Sequence, residues 1–232
     1  MPSAAHHDWS LAGTLATQGH GDSASRIDVA HPDQGIRFGG GPNATDTLLG
    51  VDLAALSDHW LRGADVVAIY EPSDRRRLRS TVMWRAREPA ANVSAWEVVV
   101  SAQTSLLEAD VALAVWSEFA ADDLLWSDAG PQPTWHALGG SGLPSTATAV
   151  LARRRGSTSA VIAVHPADAR HIEVVRQGNR SRVGCWLFSS ALEKGVLLRS
   201  RVLAAIGPGV ADEAWATRLL ADFAASPPPL TA

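Results

Sequence analysis

The chain contains almost none of two residue types that often mark chemistry. It has one cysteine, Cys185, and one lysine, Lys194, so the other 19 of its 20 basic residues are arginines. A single cysteine excludes an intramolecular disulfide and a cysteine-based zinc site. The lysine is followed by Gly195 and not by Ser or Thr, so the phosphate-binding Gly-Lys-Ser/Thr loop is missing. The Gly-Gly-Ser-Gly segment at 139–142 lacks the βαβ surroundings of a dinucleotide site and the strand-to-helix turn of a nucleophile elbow.

Signals for export and for membrane insertion are also lacking. Residues 1–10 are polar and have no basic start followed by an apolar run. No apolar stretch reaches the roughly 18 residues that a membrane span needs. The net charge of −4 argues against a dedicated nucleic-acid-binding surface, which is usually basic. We therefore expect a cytoplasmic protein with no nucleic-acid partner, no membrane partner and no cofactor or metal.

Alternation with a period of two dominates the chain and predicts β-strands. Residues 78–86 place Leu78, Val82 and Trp84 on one face and arginines on the other, as a half-buried strand does. Residues 94–104 and 109–119 show the same pattern. Residues 64–71 predict a strand because they are β-branched and apolar and end at Pro72, and three short strands are expected before residue 40. Five further strands between residues 146 and 206 are joined by short turns, which predicts an antiparallel meander.

Two segments depart from this rhythm. Residues 121–145 are rich in Gly and Pro and predict one long loop. Residues 210–224 predict a helix, because Trp215, Leu219 and Phe223 recur at four-residue spacing. A proline-rich tail, residues 225–232, follows it.

Together these patterns predict an all-β protein with one C-terminal helix. The expected architecture is a single domain over residues 1–232, a large antiparallel β-sandwich of roughly a dozen strands, supersandwich-like in size. At the level of fold, the many strands, the abundant Trp and the Gly/Pro-rich segment resemble the large sandwiches of sugar-handling proteins such as the galactose mutarotase-like group. Such a resemblance implies an architecture and does not fix a function.

Nine tryptophans beside one tyrosine and four phenylalanines are the clearest bias in composition. An indole face can stack on the apolar face of a sugar ring, but most buried Trp residues only fill a core. Trp84, Trp96, Trp186 and Trp215 are predicted to be core residues. Trp126 and Trp135 fall in the predicted loop, where binding residues are common, and are the candidate ligand platform.

Charged residues give a second set of candidates. Arg75, Arg77, Arg79, Arg85 and Arg87 share one face of one strand, where Arg79 and Arg85 could orient an anionic group. The alternative is cross-strand pairing with acidic residues of the next strands. These acids are Glu97, Glu108, Asp110 and Glu118, with Asp122, Asp123 and Asp128 in the loop. Two of them facing one cleft could act as acid and base, or as acid and nucleophile, on a glycosidic bond, and Glu108 and Asp110 are the chosen candidates.

Histidines offer one catalytic candidate and one possible cluster. His136 stands beside Trp135 in the predicted loop and is the third candidate catalytic residue. His165 and His171 flank a predicted hairpin turn, with Glu173 on the face of His171. Such a set could bind a metal or transfer a proton, or it could be ordinary polar residues at a hairpin end.

Two functions from different classes follow. The first is binding or processing of a carbohydrate or another anionic small molecule by Trp126, Trp135, His136, Arg79 and Arg85, with Glu108 or Asp110 as acid–base. The second is a non-catalytic interaction or structural module whose Trp residues lie in the core and in a subunit interface, as a homo-oligomer would allow. The positions of the nine Trp residues distinguish the two.

Overall fold

A computed structural model describes residues 9–19, 24–38, 46–74, 77–87, 92–110, 112–128, 133–139, 142–154, 158–168, 171–188 and 191–227. The first strands are β1 (Trp9–Ala12), β2 (Leu15–Gln18), β3 (Ser25–Asp28), β4 (Ile36–Arg37), β5 (Thr47–Val51), β6 (Leu56–Arg62), β7 (Asp65–Tyr70), β8 (Arg79–Arg87), β9 (Ser94–Gln103) and β10 (Glu108–Ala109). The others are β11 (Leu113–Ala120), β12 (Asp123–Asp128), β13 (His136–Ala137), β14 (Ala147–Arg153), β15 (Thr158–Val164), β16 (His171–Gln177), β17 (Arg180–Phe188), β18 (Leu192–Glu193) and β19 (Leu197–Pro208). One helix, α1 (Asp212–Ala225), follows them.

The strands form two large antiparallel sheets and one small ribbon. The eight-stranded sheet has the order β1-β2-β3-β4-β5-β11-β17-β16, and the nine-stranded sheet has the order β13-β12-β14-β15-β19-β9-β8-β7-β6. Strands β10 and β18 pair separately. The predicted all-β class with an antiparallel sandwich and one helix is confirmed. The described residues contain more strands than the dozen expected, because several are only two to four residues long. Three short strands are expected before residue 40, and the described residues there form four, β1 to β4, because the first predicted strand is a hairpin; they make one edge of the eight-stranded sheet.

The main core lies between the two sheets. It takes Ile27, Leu48, Val115 and Leu187 from the eight-stranded sheet and Val82, Trp84, Val98 and Ile162 from the nine-stranded sheet. The predicted inward face of β8 is therefore correct, and its apolar residues lose contact with water, which is the main driving force for packing the sheets. No helix among the described residues is long and apolar enough to span a membrane.

A second core lies on the other side of the nine-stranded sheet, beneath α1. The predicted stripe of Trp215, Leu219 and Phe223 packs against outward-facing apolar residues of β14, β15 and β19. Trp215 lies against Gly207, where an added Cβ would stand 2.8 Å from the indole. The centre of the nine-stranded sheet is thus buried on both faces, which explains why β15 and β19 are apolar on both sides.

The predicted five-strand meander is wrong. Strands β14 and β15 pair, but β15 pairs next with β19, while β16 and β17 belong to the eight-stranded sheet. The chain therefore crosses between sheets after β15 and again after β17. Because a short turn and a short crossover have similar sequences, alternation alone could not distinguish them.

The predicted loop at residues 121–145 is also wrong in part. It contains β12, which pairs with β14 over six residues, and the short edge strand β13. Trp126 and His136 are strand residues that face each other across this pair. Glycine and proline lie between β12 and β13 and after β13, and their number hid the apolar pair Leu124–Leu125.

Polar side chains also tie the sheets to each other. The Trp96 indole donates a hydrogen bond to Gln18 Oε1 at 3.0 Å, and the Tyr70 hydroxyl donates one to the Val29 carbonyl at 2.7 Å. Both bonds join the nine-stranded sheet to the eight-stranded side and satisfy groups that burial would otherwise penalise. Burial raises the pKa of Tyr70, so its hydroxyl stays protonated and remains a donor.

Two arginine contacts hold α1 at its ends. At the first turn, Arg153 of β14 forms a bidentate pair with Asp212, which also accepts a bond from Ser159 at 2.9 Å. At the last turn, buried Arg201 of β19 donates to the Ser226 and Pro227 carbonyls at 3.3 and 3.0 Å. Negative charge at the start of a helix and positive charge at its end both favour the helix dipole.

We expect Asp212→Asn to lower the free energy of unfolding by about 1 to 2 kcal/mol at pH 7, a value reduced because Arg153 is 41% exposed. Burial alone would raise the pKa of Asp212, but the hydrogen bonds from Arg153 and Ser159 outweigh it and hold that pKa below its usual range. The contribution of this carboxylate is therefore complete above the ordinary carboxyl pKa of about 4 and is lost as the pH falls through the lower folded value. Urea unfolding at several pH values measures it.

The matched control is Glu213→Gln, which removes the exposed partner of the same arginine and should cost less than about 0.5 kcal/mol. A difference between wild type and Asp212→Asn that stays constant from pH 7 to pH 3 would contradict the prediction.

Candidate functional site

The outer face of the eight-stranded sheet carries a group of aromatic and charged side chains. On β11 and β17 the core residues point inward, so the alternate residues point outward. The register places Trp116 beside Gly184 and Glu118 beside Arg182, and it places Glu173 of β16 on the other side of Gly184. We call this set the Trp116 face; its members are Trp116, Glu118, Glu173, Arg180, Arg182, Gly184 and Trp186.

A glycine allows the Trp116 indole to lie against the sheet. A Cβ added at Gly184 would stand 2.4 Å from the indole ring, closer than atoms can approach. On the other side, Trp116 pairs with Gly50 of β5. The large ring therefore takes the place that a side chain at position 184 would otherwise occupy, and contact with the backbone of β17 sets its orientation.

Trp186 completes an aromatic corner. Its ring centroid lies 6.0 Å from that of Trp116 and the two ring planes meet at 78°, an edge-to-face arrangement. The Trp186 indole N–H donates to Glu173 Oε2 at 3.1 Å, which fixes the ring from the other side. Trp186 was predicted to be a core residue, and this prediction is wrong: it is half-buried on the outward face, because the inward positions of β17 are Val183, Cys185 and Leu187.

Charged groups border the aromatic corner. The Arg182 guanidinium carbon lies 4.1 Å from the centroid of a Trp116 ring, within the range of a cation–π contact. Glu118 accepts a 2.7 Å bond from Arg180 Nε, and Arg180 also contacts Asp46 at 3.4 Å. Trp116, Glu118, Arg180 and Arg182 line a cavity of about 140 Å³ together with Val175 and Gln177.

This arrangement offers apolar ring faces beside hydrogen-bonding groups. Glu118 and Glu173 are acceptors, Arg180 and Arg182 are donors, and both types border the two indoles. Among the described residues, no three His, Cys, Asp or Glu side chains are grouped so that they could hold a metal ion. Burial raises the pKa of Cys185 to about 12, so this inward thiol is not a nucleophile at neutral pH.

The structure divides the seven sequence-predicted site residues among several places. Trp126 and His136 come together at the edge of the nine-stranded sheet, with ring centroids 4.7 Å apart and planes 30° from parallel. Trp126 shares the inward face of Leu124, whereas Trp135 packs against the outer cluster beneath α1 and donates to Thr217 Oγ1 at 3.1 Å. The two tryptophans therefore lie on opposite faces of one sheet and do not form a common platform.

The predicted arginines are held by carboxylates. Arg85 forms a bidentate pair with Asp65 at 2.8 and 2.9 Å, and this hydrogen bond raises its pKa although burial opposes it. Arg79 bonds Glu71 at 3.0 Å. In the same stripe, Arg87 bonds Glu97 at 2.9 Å, so the cross-strand pairing alternative describes this part of the stripe. Arg75 lies outside the described residues.

The predicted acid–base pair lies in a different groove. Glu108 and Asp110 line a cavity of about 550 Å³ with Arg77, and both carboxylates are exposed. Asp110 accepts a bond from the Ala112 backbone at 2.9 Å. Of the other acidic candidates, Glu118 belongs to the Trp116 face, and Asp123 and Asp128 are the terminal residues of β12. The catalytic roles assigned to Glu108, Asp110 and His136 remain predictions.

The predicted histidine cluster does not form. His165 and His171 cannot face each other across a hairpin, because β15 and β16 belong to different sheets. His165 is buried, accepts a bond from the Ala167 backbone at 3.2 Å and packs edge-to-face on Phe223. Burial and nearby Arg201 lower its pKa, whereas His171 is exposed beside Trp186.

Sequence reasoning missed Trp116 altogether, although a signal for it was present. The inward face of 109–119 was read correctly at Leu113, Val115 and Phe119, which leaves Trp116 and Glu118 facing outward. A tryptophan on the outward face of one strand and a glycine on the outward face of another are the sequence signal for such packing.

Comparison with known proteins gives little guidance. No protein-family model matches the chain, and no curated protein matches it. Among solved structures, the chain is similar to a protein of Klebsiella pneumoniae subsp. pneumoniae MGH 78578 that is provisionally described as an aldose 1-epimerase. The match has 12% sequence identity and a TM-score of 0.44, and it covers 82% of this chain and 62% of that chain. The chain therefore spans less than two thirds of that protein, and a likeness this distant says nothing about activity.

We expect Gly184→Ala to displace the Trp116 indole, because the new methyl group would occupy the position of the ring. The free energy of unfolding should fall by about 1 to 3 kcal/mol, the usual cost of overpacking. The near-UV circular dichroism of the tryptophans should change, since the edge-to-face pair is lost. Gly139→Ala is the control, because a Cβ there meets no atom within 4 Å. An unaltered near-UV spectrum in Gly184→Ala would show that Trp116 does not lie on this glycine.

Proposed function

We propose that this protein binds a carbohydrate on the Trp116 face. The observation that carries the proposal is the edge-to-face pair of half-buried indoles on an outward sheet face, bordered by carboxylates and guanidinium groups. The apolar face of a pyranose ring stacks on an indole, and its hydroxyls need acceptors and donors at the rim of the stack. Glu118, Glu173, Arg180 and Arg182 supply both kinds of group.

The positions of the remaining tryptophans support a binding role for this face. Core packing alone explains four of the tryptophans, which are buried: Trp9, Trp84, Trp96 and Trp215. Trp135 is held beneath α1, so it supports the helix. Core packing does not explain Trp116 and Trp186. Within the described residues, the nine-stranded sheet packs against the opposite face of β11 and β17.

A second use of the same face is a subunit interface, as the structural-module hypothesis requires. Aromatic and arginine side chains are enriched in interfaces as well as in sugar sites. The two uses differ in their requirement for a second copy of the chain. An interface predicts a concentration-dependent dimer, whereas a sugar site predicts stabilisation by free saccharide.

Thermal stability in the presence of neutral and acidic mono- and oligosaccharides tests the proposal. A ligand that binds only the native state raises the melting temperature in proportion to the logarithm of its concentration. Trp186→Ala should weaken the apparent affinity about 10-fold or more, because the ring contributes stacking area that alanine cannot replace. Trp60→Ala is the matched control: Trp60 is 37% exposed on β6, at the far edge of the other sheet.

Two further variants assign the site. Trp126→Ala removes the aromatic pair at the sequence-predicted site, and it should leave binding unchanged if the Trp116 face is responsible. Trp135→Ala is a poor probe, since loss of its packing beneath α1 would itself lower stability. Absence of any saccharide effect, together with a dimer that Trp186→Ala dissociates in sedimentation experiments, would replace the proposal with the interface.

A further inference from the structure

We infer that the saccharide bound on the Trp116 face carries a carboxylate group, as a uronic acid does, and that Arg182 selects it. This inference rests on the proposed function and adds the chemical class of the ligand. It depends on one arginine whose charge the described part of the protein does not neutralise.

Arg182 has no carboxylate partner among the described residues, although Glu118 is its neighbour in the sheet. The register pairs Arg182 with Glu118 across β17 and β11. The Glu118 carboxylate nevertheless bonds Arg180 at 2.7 Å, two residues earlier on β17. Arg180 also contacts Asp46, which bonds Arg154 in turn. Among the described residues this charge network contains three guanidinium groups and two carboxylates. Arg182 is the guanidinium with no carboxylate partner in that set.

The Arg182 guanidinium carbon lies 4.1 Å from the Trp116 ring centroid, a distance at which the guanidinium can stack on the ring and leave its edge available. The N–H donors lie in the guanidinium plane and point away from its edge. Two of them can therefore bind both oxygens of a carboxylate in the planar, bidentate geometry that arginine favours.

The cavity beside Arg182 has room for a substituent and not for a whole ligand. Its volume of about 140 Å³ is below the roughly 300 Å³ at which ordinary small-molecule pockets begin. It opens next to the aromatic corner and is lined by Arg182, Arg180, Glu118 and Gln177. A sugar ring stacked on the indoles would place one exocyclic group in it.

The charges in the cavity favour a single negative charge. Glu118 is one of the lining residues, and it repels a ligand group with two charges more strongly than a group with one. Glu173 adds a further carboxylate on the other side of Trp116, where it accepts the Trp186 N–H. A carboxylate suits this balance better than a phosphate ester, which carries close to two charges at neutral pH.

Isothermal titration with galacturonate, glucuronate and their neutral methyl esters tests the inference. In the wild-type protein at low salt, at least one uronate should bind about 10-fold more tightly than its own ester, and added salt should reduce the difference. In Arg182→Gln, acid and ester should bind with the same affinity, close to that of the ester for wild type. Sulfated and phosphorylated sugars in the same titration separate a preference for carboxylate from a general preference for anions.

The matched control is Arg176→Gln. Arg176 is an exposed arginine of the same β16–β17 hairpin, but it lies on the opposite face of β16 from Val175, which lines the cavity. It should keep the full preference for the acid. Near-UV circular dichroism of Arg182→Gln should match the wild type, which would show that Trp116 has kept its place.

Three results would overturn the inference. Equal binding of acid and ester by the wild type would leave the saccharide site standing and remove its preference for a carboxylate. Tighter binding of the phosphorylated sugar would show that the site prefers a phosphate to a carboxylate. Loss of ester binding in Arg182→Gln would show that Arg182 only positions Trp116. Failure of every sugar to bind would instead refute the proposed function itself.

Discussion

The central strands of the nine-stranded sheet are buried on both faces, and this burial limits where functional side chains can lie. One face of β14, β15 and β19 lies on the core between the sheets, and the other lies beneath α1. These strands can therefore present no functional side chain to solvent along most of their length. The helix α1 packs on the nine-stranded sheet and leaves the outer face of β11 and β17 uncovered. There these two strands can carry large polar and aromatic residues without a cost in core packing.

Both sheets have an indole ring packed against a glycine, but the arrangement has a different role in each. On each, an indole lies against a glycine of a neighbouring element: Trp215 on Gly207 beneath the helix, and Trp116 on Gly184 on the open side. In the first case the ring is covered by its own helix and joins that helix to the sheet. In the second case the ring stays partly exposed, and Arg182 and Trp186 pack against it. The same local packing thus serves stability in one place and a surface in the other.

The sequence predicts strands better than it predicts how they connect. Alternation at residues 78–86 identified the strand and its inward face, because one side of that strand meets the core and the other meets water. At β15 and β19 both sides are buried, so no alternation indicates which neighbour each strand takes. The choice between a hairpin and a crossover after β15 depends on contacts with β19, more than thirty residues later, and no local turn signal reports it.

The candidate site could be predicted only in its parts. Composition shows the abundance of Trp and Arg, but the loop assignment grouped Trp126 and His136 with Trp135, which packs on the other face of the nine-stranded sheet. Arg79 and Arg85 looked available because their partners Glu71 and Asp65 lie on a different strand or beyond its end. Trp116, Arg182 and Trp186 come together only through the pairing of β11 with β17, about 70 residues apart in the chain, which requires the fold to be known.

The position of β19 has a consequence for how the chain folds. It lies between β15 and β9, and it is the only described strand that joins the β6–β9 half of the nine-stranded sheet to the β12–β15 half. Until residues 197–208 are in place, both halves expose an unpaired apolar edge, and such edges promote association between chains. Many of the native contacts are also distant in sequence, which slows folding. Intermediates that lack β19 are therefore the species most prone to aggregate, and a chaperone that protects this protein would have to cover those two edges.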